Sequence, residues 1–244
     1  MESISEQLAQ LASADQAAAH RAYTAIFEAT CRAGAPDNAS QRAVLAAALA
    51  GELNARDDDR PRYSPRVRGQ IARLLSLVAG AAEVPALSEA AADFHVREMA
   101  RWSLARVAAP AATSALATAA TEAVGPEYRV GAINSLAARP EPEAVAALLQ
   151  LANDADREVR LAALEALAVA AVPAAEPQLA AAARDLAGNP RALDRIHKAR
   201  VRLGWNLAAA GQQAAAQQVF RAVLASDAAE PQLASARRGL ENLA

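Results

Sequence analysis

Thiol chemistry is nearly absent from this chain of 244 residues: Cys31 is its single cysteine. That excludes an internal disulfide framework and leaves the redox compartment undecided. Aromatic residues make up only 3%, which counts against a surface built for stacking nucleic-acid bases. Lysine is all but missing, with Lys198 the only one among 25 positive side chains. The net charge of −2 gives the whole molecule no bulk attraction for polyanions. No apolar run has the length and hydrophobicity of a membrane span. The N-terminal MESISEQLAQLASADQ carries acidic residues and lacks the apolar core of a signal peptide. A soluble, cytoplasmic chain with no membrane partner is expected. Also missing are a Gly-rich phosphate loop, a Gly-x-Ser-x-Gly elbow and any paired metal-ligand motif. His20, His95 and His197 lie far apart without a second ligand type at metal-site spacing. Cys31 in an Ala-rich segment reads as a small packed residue. Neither enzymatic activity nor a cofactor is expected.

What the chain does have is alanine, about three residues in ten, the residue that loses least on entering a helix. No alternating apolar and polar run reads as a strand, so the fold class is all-α. Within it a unit recurs. Val67-Arg68 leads to Leu75, Val96-Arg97 to Leu104, Tyr128-Arg129 to Leu136 and Val159-Arg160 to Leu167, each by a step of eight from the first residue. Looser copies run from Gln41-Arg42 to Leu49 and from Ala199-Arg200 to Leu207. The four clear anchors are about thirty residues apart, the period of a helical array. Apolar or small residues at the anchor, +4 and +8 share one helical face. A second amphipathic segment follows each first helix, with Pro85, Pro110, Pro142 and Pro177 near its start, where a first turn tolerates proline. Asp93, Asp154 and Asp156 are placed to cap the next first helix.

An acidic turn, a Val-Arg pair and Ala and Leu at fixed steps resemble the HEAT-like repeats of bacterial proteins, the class that includes phycobilin-lyase-type repeats. The resemblance covers Ser64 to Leu186 and, more loosely, Asn38 to Leu53. It implies an α-α superhelix, a solenoid of helical hairpins of armadillo type, curved, with second helices on the concave side. The third copy departs from the pattern through Tyr128 and Gly131. Toward the C-terminus, Leu203-Gly204, Gly211, Ala216 and Phe220 fall at steps that resemble a tetratricopeptide repeat, followed by a capping helix from Glu230 to Leu243. At the other end Ser13-x-x-Gln16 reads as a capping box opening a helix to about Ala33, broken at Gly34 to Asn38. Three segments result: 1–62, an N-terminal cap with a degenerate repeat; 63–188, the HEAT-like repeats; and 189–244, the tetratricopeptide-like repeat with its cap.

One side-chain set has a structural reading. Arg68, Arg97, Arg129 and Arg160 recur once per repeat, and each is expected to pair with an acidic residue at a neighbouring turn. Two sets have functional readings. Trp102 and Trp205 stand six residues after their anchors, off the buried stripe, with Arg101 beside the first and Asn134 and Glu165 at the same place in other copies. That column suits a protein or peptide partner. Arg60, Arg62 and Arg66 in one basic segment, with Arg195, Lys198 and Arg200 in another, form a candidate anion-binding set. The function expected is a non-enzymatic scaffold that binds a protein or peptide through its concave face or Trp-bearing edge. Nucleic-acid binding through the Arg-rich segments is the first alternative. The resemblance implies a second, a bilin-lyase-like chaperone of chromophore and protein.

Overall fold

A helix with one apolar face buries it only against a neighbour, and the computed structural model supplies that neighbour in every copy. It describes residues 3–139 and 141–243, and the chain divides into two compact units, Met1–Leu116 and Ala117–Ala244. The described residues form fourteen α-helices and one small hairpin. The first unit holds α1 (Ile4–Leu11), α2 (Gln16–Ala33), α3 (Ala39–Leu53), β1 (Arg56–Asp57), β2 (Arg60–Pro61), α4 (Pro65–Val78), α5 (Val84–Ala91) and α6 (Arg97–Arg106). The boundary falls inside α7 (Pro110–Glu122). The second unit continues with α8 (Pro126–Leu136), α9 (Pro142–Leu151), α10 (Arg157–Val169) and α11 (Ala175–Asp185), then α12 (Pro190–Ala209), α13 (Gln213–Leu224) and α14 (Glu230–Glu241).

The chain is all-α, built of recurring helical hairpins. First helices stack on first helices, α3 on α4 on α6 in one unit and α8 on α10 on α12 in the other. Second helices seat on the first helix that follows, as α5 does on α6, α9 on α10 and α11 on α12. The anchor stripe makes these contacts: Val67, Ile71 and Leu75, and Val159, Ala163 and Leu167, are all fully buried. Each buried Leu or Ile stabilises by about 1.5–3 kcal/mol. The alanines between them, Ala72, Ala100 and Ala132 among others, contribute less but let the helices approach closely.

The turn residues set the helix starts. Pro110 and Pro142 open α7 and α9, Pro85 is the second residue of α5, and Pro177 the third of α11. Asp156 caps α10 as expected, accepting from the N–H groups of Glu158 and Val159 at 2.8 and 3.1 Å. Asp93 and Asp154 do not cap. They accept from the N–H groups of His95 and Asp156, inside the turns, with their carboxylates drawn onto Arg68 and Arg129. The opening of α2 also differs from the expectation. Asp15 is its cap, bonded to the N–H groups of Ala17 and Ala18, while Ser13 Oγ accepts from Asp15 N. The capping box belongs instead to α1, through Ser3 and Glu6. A carboxylate directly before the first turn is the stronger acceptor there.

Two features lie outside the helical expectation. The segment after α3 forms an antiparallel hairpin, Arg56 opposite Pro61 and Asp57 opposite Arg60, turned by Asp58 at φ 53°. Glu52 of α3 anchors its exit, accepting from Arg62 Nη1 at 3.1 Å and from the Tyr63 hydroxyl at 2.9 Å. At the C-terminus, the fully buried Phe220 ring occupies space that Gly204 and Gly239 leave open. A Cβ at either position would fall 2.4–2.5 Å from ring atoms. The glycine-to-phenylalanine step of the tetratricopeptide-like segment is thus a packing requirement of α12, α13 and α14.

Candidate functional site

Burying a guanidinium is tolerable only when its donors are satisfied. Arg68, 6% exposed, meets that condition. Nε donates to the Leu53 carbonyl at 3.0 Å, Nη2 to Asn54 Oδ1 at 3.3 Å, and Nη1 to Asp93. Arg129 repeats the arrangement, with Nε on the Ala120 carbonyl at 2.8 Å and the other nitrogens on Asp154. The Arg129 hydrogen bond is the main force holding the Asp154 carboxyl below its ordinary pKa. Asp93 is lowered first by the N–H of His95 and then by Arg68. Arg160 instead donates to the main-chain carbonyls of Asp154 and Ala155, and the Arg97 guanidinium lies 4.6 Å from the centre of the Phe94 ring. The expected pairing with an acid at the following turn is thus made by Arg68 and Arg129, whereas Arg160 meets main-chain carbonyls in its place.

Carboxylates also engage most of the candidate anion-binding set. Arg62 pairs with Asp57 and Glu52, and Lys198 with Asp194 at 2.6 Å. Arg200 is 3% exposed and pairs with Glu176 at 2.6 Å. Arg195 spans two carboxylates, Glu165 at 2.9 Å through Nε and Glu158 at 2.9 Å through Nη1. Its hydrogen bond is the chief cause of the lowered Glu158 pKa. Arg66 donates to the Leu11 carbonyl at 3.1 Å, in a cleft of about 490 Å³ that also takes in His20, Tyr23 and Gln70. Arg60 lies exposed on β2. Sequence spacing showed the cations and missed their partners, which come from 24 to 37 residues away for Arg195 and Arg200.

The tryptophan column separates into members with different fates. Trp205 is occupied: its Nε1–H donates to Ser235 Oγ at 3.0 Å, and its ring meets Phe220 edge-on at 5.4 Å. Glu165 is taken by Arg195, while Asn134 is exposed on α8. Trp102 remains 39% exposed on α6, with the Arg106 guanidinium 5.0 Å from its ring centre. Arg101, the residue before Trp102, pairs with Glu98 one turn back at 2.9 Å. Ser103, the next residue, is fully buried and donates to the Ala72 carbonyl at 2.6 Å, fixing α6 against α4. Arg73 is the +6 residue of the preceding copy, as Trp102 is of its own. Leu77, 37% exposed, and Arg106 likewise share the +10 position. The solvent side of α4 and α6 thus holds two exposed apolar side chains with arginines beside them. Trp102 and Arg101 were legible by column; Arg73 and Leu77 were missed, although the same count from Val67 reaches them.

Among the described residues no three His, Cys, Asp or Glu side chains are placed to hold a metal ion. His197 is buried with Nε2 3.2 Å from Asp227, and His95 packs edge-on against Phe94. Cys31 is exposed on α2 and not packed as expected. Among the described residues, no helix is long and apolar enough to cross a membrane.

No family model matches the chain, and no curated protein matches it. Solved structures do. The complex of CpcE and CpcF of phycocyanin lyase from a Nostoc species matches at 20% identity and TM-score 0.42, over 100% of this chain and 96% of the other. A designed armadillo repeat protein in complex with the peptide (KR)4 matches at 18% identity and TM-score 0.38, over all of both chains. Human deoxyhypusine hydroxylase matches at 19% identity and TM-score 0.38, over 98% of this chain and 94% of the other. At such scores these likenesses carry no argument about activity or partner, and the repeat architecture rests on the helices and their packing.

Proposed function

We propose that this chain is a non-enzymatic repeat scaffold that binds a protein or peptide partner through the face of α4 and α6 that bears Trp102. The observation that carries the reading is the contrast between its two tryptophans. Trp205 is hydrogen-bonded and wedged against Phe220, whereas Trp102 presents 39% of its surface to solvent. A large aromatic side chain on a rigid helix loses little entropy when a partner covers it, which is the property of a binding anchor. The paired state of Arg62, Arg195, Lys198 and Arg200 weakens the nucleic-acid reading, since cations already neutralised release few counterions from a polyanion.

The test is recovery of partners by the tagged chain from its own cell extract, with Trp102→Ala and Asn134→Ala run in parallel. A protein retained by the parent and by Asn134→Ala, and lost by a folded Trp102→Ala, is the expected result. Equal recovery by all three chains would refute the assignment of the face. Nucleic acid recovered at low salt and released at high salt would refute the class of partner.

A further inference from the structure

The charge on α4 and α6 is far from that of the chain. These helices carry Arg66, Arg68, Arg73, Arg97, Arg101 and Arg106 against a single acidic residue, Glu98, in a molecule whose net charge is −2. Two of the six are spent on carboxylates, Arg68 on Asp93 and Arg101 on Glu98. Arg73 and Arg106 make no side-chain hydrogen bond or ion pair among the described residues, and both are exposed. They lie at equivalent +6 and +10 positions beside Trp102 and Leu77, on helices held in register by the Ser103 bond to Ala72.

We infer that the partner seated on this face is an acidic polypeptide segment carrying an apolar side chain between its carboxylates. This rests on the scaffold reading above and names the chemistry of its ligand. The apolar side chain covers Trp102 and Leu77, and carboxylates on either side meet Arg73 and Arg106. Both arginines have open donors, and a guanidinium donates two parallel hydrogen bonds to a carboxylate. Arg106 already lies against the indole ring, so a bound carboxylate completes a stack of carboxylate, guanidinium and ring. A nucleic-acid strand fits less well. The guanidinium occupies ring surface that a base would stack on, and Leu77 offers no polar group to a base edge.

The experiment uses the full chain and a fluorescein-labelled peptide in which Glu alternates with Leu and Phe, followed by anisotropy. Controls are the same peptide with Lys in place of Glu, and single-stranded oligothymidylate. Arg73→Glu/Arg106→Glu and Trp102→Ala are compared with the parent after circular dichroism confirms their helix content. The acidic peptide is expected to bind the parent, to weaken about ten-fold or more in the double variant, and to weaken again between about 0.05 and 0.3 M salt. Trp102→Ala is expected to weaken it at both salt concentrations. Binding that depends on Trp102 but ignores charge reversal and salt would overturn the acidic chemistry and leave the scaffold reading standing. Equal binding of the Lys peptide, preference for oligothymidylate, or no binding of the acidic peptide would each overturn the inference. Partner recovery indifferent to Trp102→Ala would remove the scaffold reading with it.

Discussion

Gly239→Ala is expected to destabilise the C-terminal helices, although it replaces one of the poorest helix formers with the best. On an open helix surface that exchange stabilises by about 1 kcal/mol. In α14 the new Cβ would fall 2.4 Å from Cε2 and Cζ of Phe220. The ring cannot step aside freely. Gly204 faces its other edge, where a Cβ would stand 2.5 Å from Cε1, and Trp205 meets it at 5.4 Å. Forcing extra atoms into such a site costs about 1–3 kcal/mol. Two ring atoms well inside contact distance put this case in the upper half, for a net loss of about 1–2 kcal/mol. Gly69→Ala in α4 is the control with opposite sign: its Cβ would meet nothing within 4 Å, so a gain approaching 1 kcal/mol is expected. Urea unfolding in a Trp102→Phe background, read by the fluorescence of Trp205, reports on α12 to α14, and circular dichroism reads the Gly69→Ala control in α4. A midpoint for Gly239→Ala at or above that of its parent, with unchanged slope, would refute the packing argument. Adding Phe220→Leu should narrow the difference between Gly and Ala at position 239.

Three further outcomes follow from the ladder and the stacking. Arg68→Ala should lose about 3–5 kcal/mol, since it strands polar groups around a buried cation site, whereas Arg160→Ala should lose about 1 kcal/mol because its acceptors lie in a hydrated turn; urea midpoints of the two variants compare them directly. Asp93 and Asp154 have folded-state pKa values below the ordinary carboxyl value, so their contribution is present in full above about pH 4 and is lost as pH falls through the lowered folded values. Acid unfolding of Asp154→Asn should therefore start from lower stability and show a shallower decline below about pH 4 than the parent. Truncation after Gly188 removes α12 to α14 and bares the faces of α10 and α11 on which α12 packs; light scattering should detect aggregation, and a monomeric, cooperatively melting product would contradict this.

The recurring hairpin was legible because its anchors obey a fixed step and burial acts on every copy alike. Val67, Val96, Tyr128 and Val159 are all buried where the spacing placed them. The helix from Pro126 continues through Gly131, since the buried neighbours Tyr128 and Ala132 outweigh one poor helix former. What stayed hidden depended on single partners. A strand of two residues has no alternation to detect, so the hairpin at Arg56 to Pro61 left no signal. Ser13 and Gln16 matched a pattern that Asp15 satisfied more strongly. The +6 column singled out Trp102 and Trp205 alike. It could not show that Ser235, 30 residues from Trp205, would occupy that second ring.

The arginine ladder has a consequence for the order in which the chain acquires structure. Arg68 closes the C-terminal end of α3 through the Leu53 carbonyl, yet its counter-ion stands 25 residues further along; Arg129 stands in the same relation to Ala120 and Asp154. A polypeptide leaving the ribosome exposes the cation well before the anion that makes its burial tolerable. The contacts of Arg68 and Arg129 are therefore expected to close only once the turns that carry Asp93 and Asp154 have been made, each 25 residues further along.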